Sequence, residues 1–199
     1  MKNSHSVGFD NISISTLKQC SHEISPVLSE IFNLSLVDGV FPDQLKIAKV
    51  IPVFKSGDKL MVSNYRPISI LSPFAKILEK IVYNRLLGFV TQNDLLVDSQ
   101  FGFRKNLSTY MALLQLTDNI SKSIDEHQLT IGIFLDLAKA FDTVNHKILL
   151  DKLEHYGIRG SPLNWFCSYL SQRLQYISVN HSSSASLSVK CGVPQGSIL

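Results

Sequence analysis

The sequence of 199 residues predicts an α+β fold in one large domain or two small ones, with helices backing short antiparallel strands. Three runs carry that expectation. Phe74, Ile77, Leu78, Ile81, Val82, Leu86 and Phe89 recur at helical spacing and trace one apolar face. Thr130 to Leu135 is apolar without polar alternation, the pattern of a strand buried on both faces. Gln175–Asn180 and Leu187–Cys191 flank the Ser-rich turn 182–186, which reads as a β-hairpin.

The other elements follow in chain order. Residues 1–10 are polar and predict a frayed end. Leu17, Ile24, Val27, Leu28, Ile31, Phe32 and Leu34 give a helix between Ile14 and Val37, which Pro26 should break or restart. Asp38-Gly39 is a stop signal. Lys46 to Lys55 is β-rich, and Pro52 within it argues for an edge strand. Ser56-Gly57-Asp58 is a turn. A helix starts near Ser108-Thr109 with Leu113, Leu114, Ile120 and Ile124 facing inward. Another carries Val144, Ile148, Leu149 and Leu153. Ser161 followed by Pro162 reads as an N-cap and first helical position, opening a helix through Tyr169. Trp165, Phe166, Tyr169 and Leu170 lie at helical spacing, so a core stripe is favoured over rings that stack on bases.

The net charge is +3, but the distribution is uneven. Residues 46–105 hold ten basic and four acidic side chains, a local excess of +6, which suits a polyanionic partner. The three cysteines are widely spaced, with no CxxC or zinc-ligand pattern, and predict a reducing compartment. No apolar run approaches the length of a membrane span and none resembles a signal core, so an intracellular protein without a membrane partner is expected, nucleus and cytoplasm not being distinguishable.

Residues 133–146 (Ile-Phe-Leu-Asp-Leu-Ala-Lys-Ala-Phe-Asp-Thr-Val-Asn-His) send an apolar run into Asp136. A carboxylate at a buried strand end is costly unless a cation meets it, and a divalent metal is the usual one. Residues 192–199 (Gly-Val-Pro-Gln-Gly-Ser-Ile-Leu) form a second loaded run. Pro194 holds Val193 extended, Gly196 permits close backbone approach, and Gln195 can both donate and accept. Asp142 suits the N-cap of the helix that follows. Upstream stand Ile-Pro-Val-Phe-Lys-Ser-Gly-Asp at 51–58, Asn-Tyr-Arg-Pro-Ile-Ser at 64–69 and Ser-Gln-Phe-Gly-Phe-Arg at 99–104.

Taken in order, these motifs resemble the reverse transcriptase domain of non-LTR (LINE-type) retrotransposons over roughly residues 40–199. The resemblance implies a right-hand polymerase: an N-terminal helical extension over 1–40, fingers over 41–128 and a partial palm over 129–199, with antiparallel palm strands backed by helices and the thumb absent. It implies RNA-directed DNA polymerase activity with an RNA template, a DNA primer or target end and deoxynucleoside triphosphates. Asp136 is then the catalytic metal ligand for Mg2+, with the Leu137 carbonyl as a second oxygen. Phe141 would lie under the nucleotide sugar, where its ring excludes a 2′-hydroxyl; without the resemblance it reads as a core phenylalanine. Gln195 and Gly196 would contact the incoming nucleotide. Arg104, Arg66 and, more weakly, Lys55 would hold template backbone or triphosphate, each weighed against an ordinary solvated position. After Arg104 the chain reads Lys105-Asn106-Leu107-Ser108-Thr109, where relatives often carry Gly then Arg, so one expected basic contact is missing. The family's other two metal carboxylates lie downstream of the Gln-Gly motif, in a palm segment this sequence does not contain. The 199 residues by themselves are therefore expected not to polymerise DNA, and a non-catalytic nucleic-acid-binding remnant is the alternative.

Overall fold

The computed structural model describes residues 6–180 and 182–199. It is mixed α/β with one small mixed sheet. The chain forms two compact units, one of residues 1–85 and 139–199, the other of residues 86–138.

In the first unit, helix α1 (Ile14–Gln19) and helix α2 (Ser21–Asp38) replace the single interrupted helix expected. The restart falls at Cys20 rather than at Pro26, which lies inside α2. Ser13 caps α1 by accepting from the Thr16 amide at 3.0 Å. Gly39 ends α2 in the left-handed conformation (φ 68°), and a Cβ there would stand 2.7 Å from the Ser161 carbonyl oxygen.

Strands β1 (Ile47–Phe54) and β2 (Tyr65–Ile70) pair antiparallel across the 55–64 turn, with Pro52 opposite Pro67. β1 also pairs in parallel with β3 (Leu174–Val179) through Ile47–Val50, so it is an inner strand and not the edge strand expected. Pro52 is tolerated because the parallel pairing has ended before it, leaving no neighbour on that side to demand its missing N–H. The hairpin reading of 175–191 holds in outline. β3 pairs antiparallel with two short pieces, β4 (Ser182–Ser183) and β5 (Leu187–Ser188), in place of one continuous return strand.

Helix α3 (Pro73–Gln92) buries Ala75, Leu78, Glu79 and Val82. Helix α5 (His146–His155) is capped by Asn145, whose Oδ1 accepts from the Ile148 amide at 3.1 Å. Helix α6 (Ser161–Leu170) begins one residue earlier than predicted, at Ser161 itself, with Gly160 at the cap position. The aromatic stripe on α6 is core, as the spacing favoured. Trp165 stacks on Tyr169 at 5.4 Å, and Phe41 sets its edge against both, 5.3 and 5.1 Å away. Ser35 on α2 accepts from the Trp165 indole at 3.0 Å, and Ser168 accepts from the Phe41 amide at 3.0 Å. The indole and the connector amide are thus both satisfied inside the core.

The second unit holds helix α4 (Thr109–Asp125), capped by Ser108, whose Oγ accepts from the Met111 amide at 3.3 Å. Two expectations fail here. Leu113, Leu114, Ile120 and Ile124 are exposed rather than inward. Residues 130–135 form no strand, and Ile131, Ile133, Phe134 and Leu135 are each at least four-fifths exposed. The reason is the same for both. An apolar face or strand is buried only against a partner, and among the described residues no strand pairs with 130–135.

Candidate active site

The two motifs read from the sequence meet backbone to backbone. Residues 139–143 form a turn in which Lys139 is left-handed (φ 53°) and its carbonyl accepts from the Asp142 amide at 2.9 Å. The turn then presents two carbonyls to the second motif. Phe141 O accepts from the Val193 amide at 2.8 Å, and Val144 O accepts from the Gly192 amide at 2.8 Å. His146 Nε2 lies 2.7 Å from the Gly192 carbonyl oxygen. Gly192 sits at φ 81°, and a Cβ there would come within 2.8 Å of the carbonyl oxygens of both Phe141 and Asp142. Only glycine fits that crossing.

The loop continues across the sheet. The Ser69 amide on β2 donates to the Gln195 carbonyl at 2.8 Å. Gly196 stands at φ 129°, with its would-be Cβ 2.5 Å from the Ser69 carbonyl oxygen, so its close backbone approach within the chain is to β2. Beyond it, the Ile198 amide donates to Glu79 Oε2 at 2.8 Å, and the Tyr169 hydroxyl donates to Glu79 Oε1 at 3.0 Å. Gln195 is half-buried and beside a cavity of about 340 Å³ whose walls include Val50, Ser69, Asp142, Arg173 and Val193.

Behind the loop stand Glu79 and Arg173, for which the sequence reading has no role, and Tyr169, which it assigns only to the aromatic stripe of α6. Glu79, Tyr169 and Arg173 are all essentially buried. Burial pushes the Glu79 carboxyl above its ordinary value, more than the Ile198 amide, the Tyr169 hydroxyl and the charges of Arg173 and Lys76 pull it down. Burial also pushes the Tyr169 phenol up, and the neighbouring Glu79 charge adds to that. Arg173 Nη1 donates to the Tyr169 carbonyl at 3.0 Å, and its guanidinium lies 4.7 Å from the Tyr169 ring. Its buried Nη2 has no protein partner in the structure. The available sequence signal was Glu79 itself, a carboxylate on the apolar arc of α3.

Of the remaining predicted residues, Phe141 lies in the turn 139–143 and the others do not. Lys55 follows β1 and Arg66 lies on β2, both exposed. Phe141 is 42% exposed, in the turn that carries the Val193 bond. Asp136, Leu137 and Arg104 belong to the second unit. Arg104 is half-buried and donates to the Val97 carbonyl at 3.1 Å. Asp136 is exposed, not a buried strand end, because the strand that was to bury it is absent. Asp142 does not cap α5, since the turn runs three residues further and Asn145 takes that place. No three His, Cys, Asp or Glu side chains gather into a metal cage among the described residues. Asp136 and the Leu137 carbonyl are thus an incomplete oxygen set for a magnesium ion.

The joined motifs are the ones that resemble a reverse transcriptase, and comparison with known proteins gives the same family. Residues 53–199 match the family model described as "Reverse transcriptase (RNA-dependent DNA polymerase)". The chain belongs to the reverse transcriptase family. It is 34% identical over 201 residues to the "Probable RNA-directed DNA polymerase from transposon BS" of Drosophila melanogaster, covering 98% of this chain and 21% of that protein. It is 32% identical over 196 residues to the "RNA-directed DNA polymerase from mobile element jockey" of the same organism, covering 96% of this chain and 21% of the relative. A "Retrovirus-related Pol polyprotein from type-1 retrotransposable element R2" of Popillia japonica is 30% identical over 164 residues, covering 82% and 22%. The reverse transcriptase chain thus spans about a fifth of the length of these curated relatives. No described helix is long and apolar enough to cross a membrane.

Proposed function

We propose that this chain supplies the nucleotide- and template-binding part of an RNA-directed DNA polymerase of a non-LTR retrotransposon. One observation carries the reading: the Val193–Phe141 and Gly192–Val144 bonds join two motifs about fifty residues apart, so that Phe141 and Gln195 belong to one surface. Phe141 would lie under the deoxyribose, its ring excluding a 2′-hydroxyl. Gln195 would donate to or accept from the nucleotide. Arg66, Arg104 and Lys55 would meet phosphates of the RNA template, the DNA primer or target end, or the triphosphate. Within that assignment 1–40 is a helical extension, 41–128 the fingers and 129–199 part of the palm, in an intracellular protein.

Polymerases of this family work with divalent metal ions. Mg2+ is the ion proposed here, stabilising charge on the transferred phosphoryl group. Asp136 and the Leu137 carbonyl would supply two of its oxygens, with nucleotide phosphates and water among the rest. A second reading is nucleic-acid binding without synthesis, which fits a chain in which no three His, Cys, Asp or Glu side chains gather to hold a metal among the described residues.

The test is binding of dTTP with Mg2+, and of an RNA template annealed to a DNA primer, by the purified chain, with primer extension read alongside. Gln195→Ala and Asp136→Asn should each weaken dTTP binding. Arg66→Ala should lower the salt slope of template binding by about one. Extension abolished by Asp136→Asn supports the polymerase, and template binding without extension supports the second reading. A chain that binds neither ligand overturns both.

A further inference from the structure

The loop that carries Gln195 and Gly196 ends on a group from a distant part of the chain. Glu79 is a fully buried carboxylate on α3, and both of its oxygens are engaged. Oε2 accepts from the Ile198 amide at 2.8 Å, two residues beyond Gly196. Oε1 accepts from the Tyr169 hydroxyl at 3.0 Å, and Tyr169 is packed between Trp165, Phe41 and the Arg173 guanidinium. The carboxylate is therefore fixed in an aromatic core at one end and holds the backbone of the loop at the other. A salt bridge is not its purpose, since no cation lies within ion-pair distance of it among the described residues. A buried carboxylate that only filled space would be replaced at a gain by a methionine, because desolvation of the charge is costly.

We infer that Glu79 is a positioning residue for the Gln195–Gly196 loop, setting the height of Gln195 above the sheet by clamping the Ile198 amide. The inference rests on the reading of that loop as the nucleotide contact. Two bonds fix the loop on either side of Gly196: Ser69 N–H to Gln195 O before it, and Ile198 N–H to Glu79 after it. Removal of the second leaves Gln195 hinged on the first.

Substitution separates this role from a merely structural one. Glu79→Met keeps the length and packing of the side chain but offers no oxygen. Glu79→Gln keeps one acceptor for Ile198, and its amide can donate to the Tyr169 oxygen once that hydroxyl turns. Hydrogen exchange across the chain is the readout, followed with and without dTTP and Mg2+. Glu79→Met should speed exchange at Ile198 and its neighbours in 195–199 by about tenfold while leaving β1 and β2 unchanged. Glu79→Gln should restore most of the protection. In the unmodified chain dTTP should protect the same segment, and Glu79→Met should raise the Kd for dTTP at least severalfold.

Unchanged exchange in Glu79→Met, or acceleration spread evenly over β1 and β2, overturns the assignment. Should that variant not fold, Ile198→Pro deletes the same N–H from outside the core, and an unchanged 195–197 segment there overturns it equally. Loop release without dTTP protection in the unmodified chain overturns the nucleotide reading and with it the purpose given to Glu79. Protection by dTTP with no release in Glu79→Met overturns the Glu79 assignment alone.

Discussion

Gly196→Ala is the sharpest perturbation the loop allows. Alanine would place its Cβ 2.5 Å from the Ser69 carbonyl oxygen, on a backbone at φ 129°. Ordinary contact begins at 3.4 Å, so the loop must rise by about an ångström, and the oxygen cannot yield because Ser69 lies in the β1–β2 ladder opposite Val50. The positive φ costs an L-residue about 1–3 kcal/mol. Loss of the Ser69–Gln195 bond adds about 1 kcal/mol. The sum, about 2–4 kcal/mol, compares with the docking energy of a loop held by three backbone bonds and the Glu79–Ile198 bond at about 1 kcal/mol each, so a large fraction of molecules should carry an undocked loop. The reporter is the Ser69 amide, which donates to Gln195 and would exchange freely once the loop lifts. Exchange at that amide should rise by about thirtyfold or more, with dTTP binding weakened in step. Gly88→Ala is the control. Nothing lies within 4 Å of its Cβ, and inside the last third of α3 the change should stabilise the helix by about 0.5–1 kcal/mol. A Ser69 amide as protected in Gly196→Ala as in the unmodified chain would refute the steric reasoning.

Three further outcomes follow from the same geometry. Glu79 holds its proton to higher pH when folded than when unfolded, so the folded state binds more protons between pH 4.5 and the raised value. Stability should therefore fall as pH rises through that window; thermal melts of Glu79→Gln should lack this slope, with the variant's advantage greatest at neutral pH and closing on acidification. An advantage that widens on acidification contradicts the sign. Phe41→Ala removes a fully buried ring set edge-on against Trp165 and Tyr169, and urea unfolding should show a loss of about 3–5 kcal/mol; a loss under about 1 kcal/mol would mean the aromatic cluster is not the core. Phe134→Ser, at a side chain 84% exposed, should change stability by no more than about 0.5 kcal/mol, whereas a buried palm strand there would lose several times that.

What the sequence disclosed and what it hid divide along the range of the interactions. The Gly39 stop, the Ser108 cap and the α6 stripe depend on neighbours within a turn or two, and each was legible. The motif around Asp136 and the run 192–199 stand out in the sequence as motifs, though their meeting through Phe141 and Val144 depends on a pairing no local pattern encodes. Residues 130–135 show the opposite error. Their apolar run states what the segment would bury, but a strand is a pairing, and hydrophobicity does not name the partner. The leucines and isoleucines of α4 fail in the same way, with a sound amphipathic pattern and no described surface against it. Glu79 was hidden for a different reason. Lys76 lies three residues before it, at helical spacing, so it reads as one member of a solvated charge pair. Its true partners are Tyr169 and Ile198, 90 and 119 residues away. A carboxylate on an apolar arc is expensive unless distant donors meet it, so Glu79, set among Ala75, Leu78 and Val82, was itself the sign that two donors from elsewhere in the chain must converge on α3.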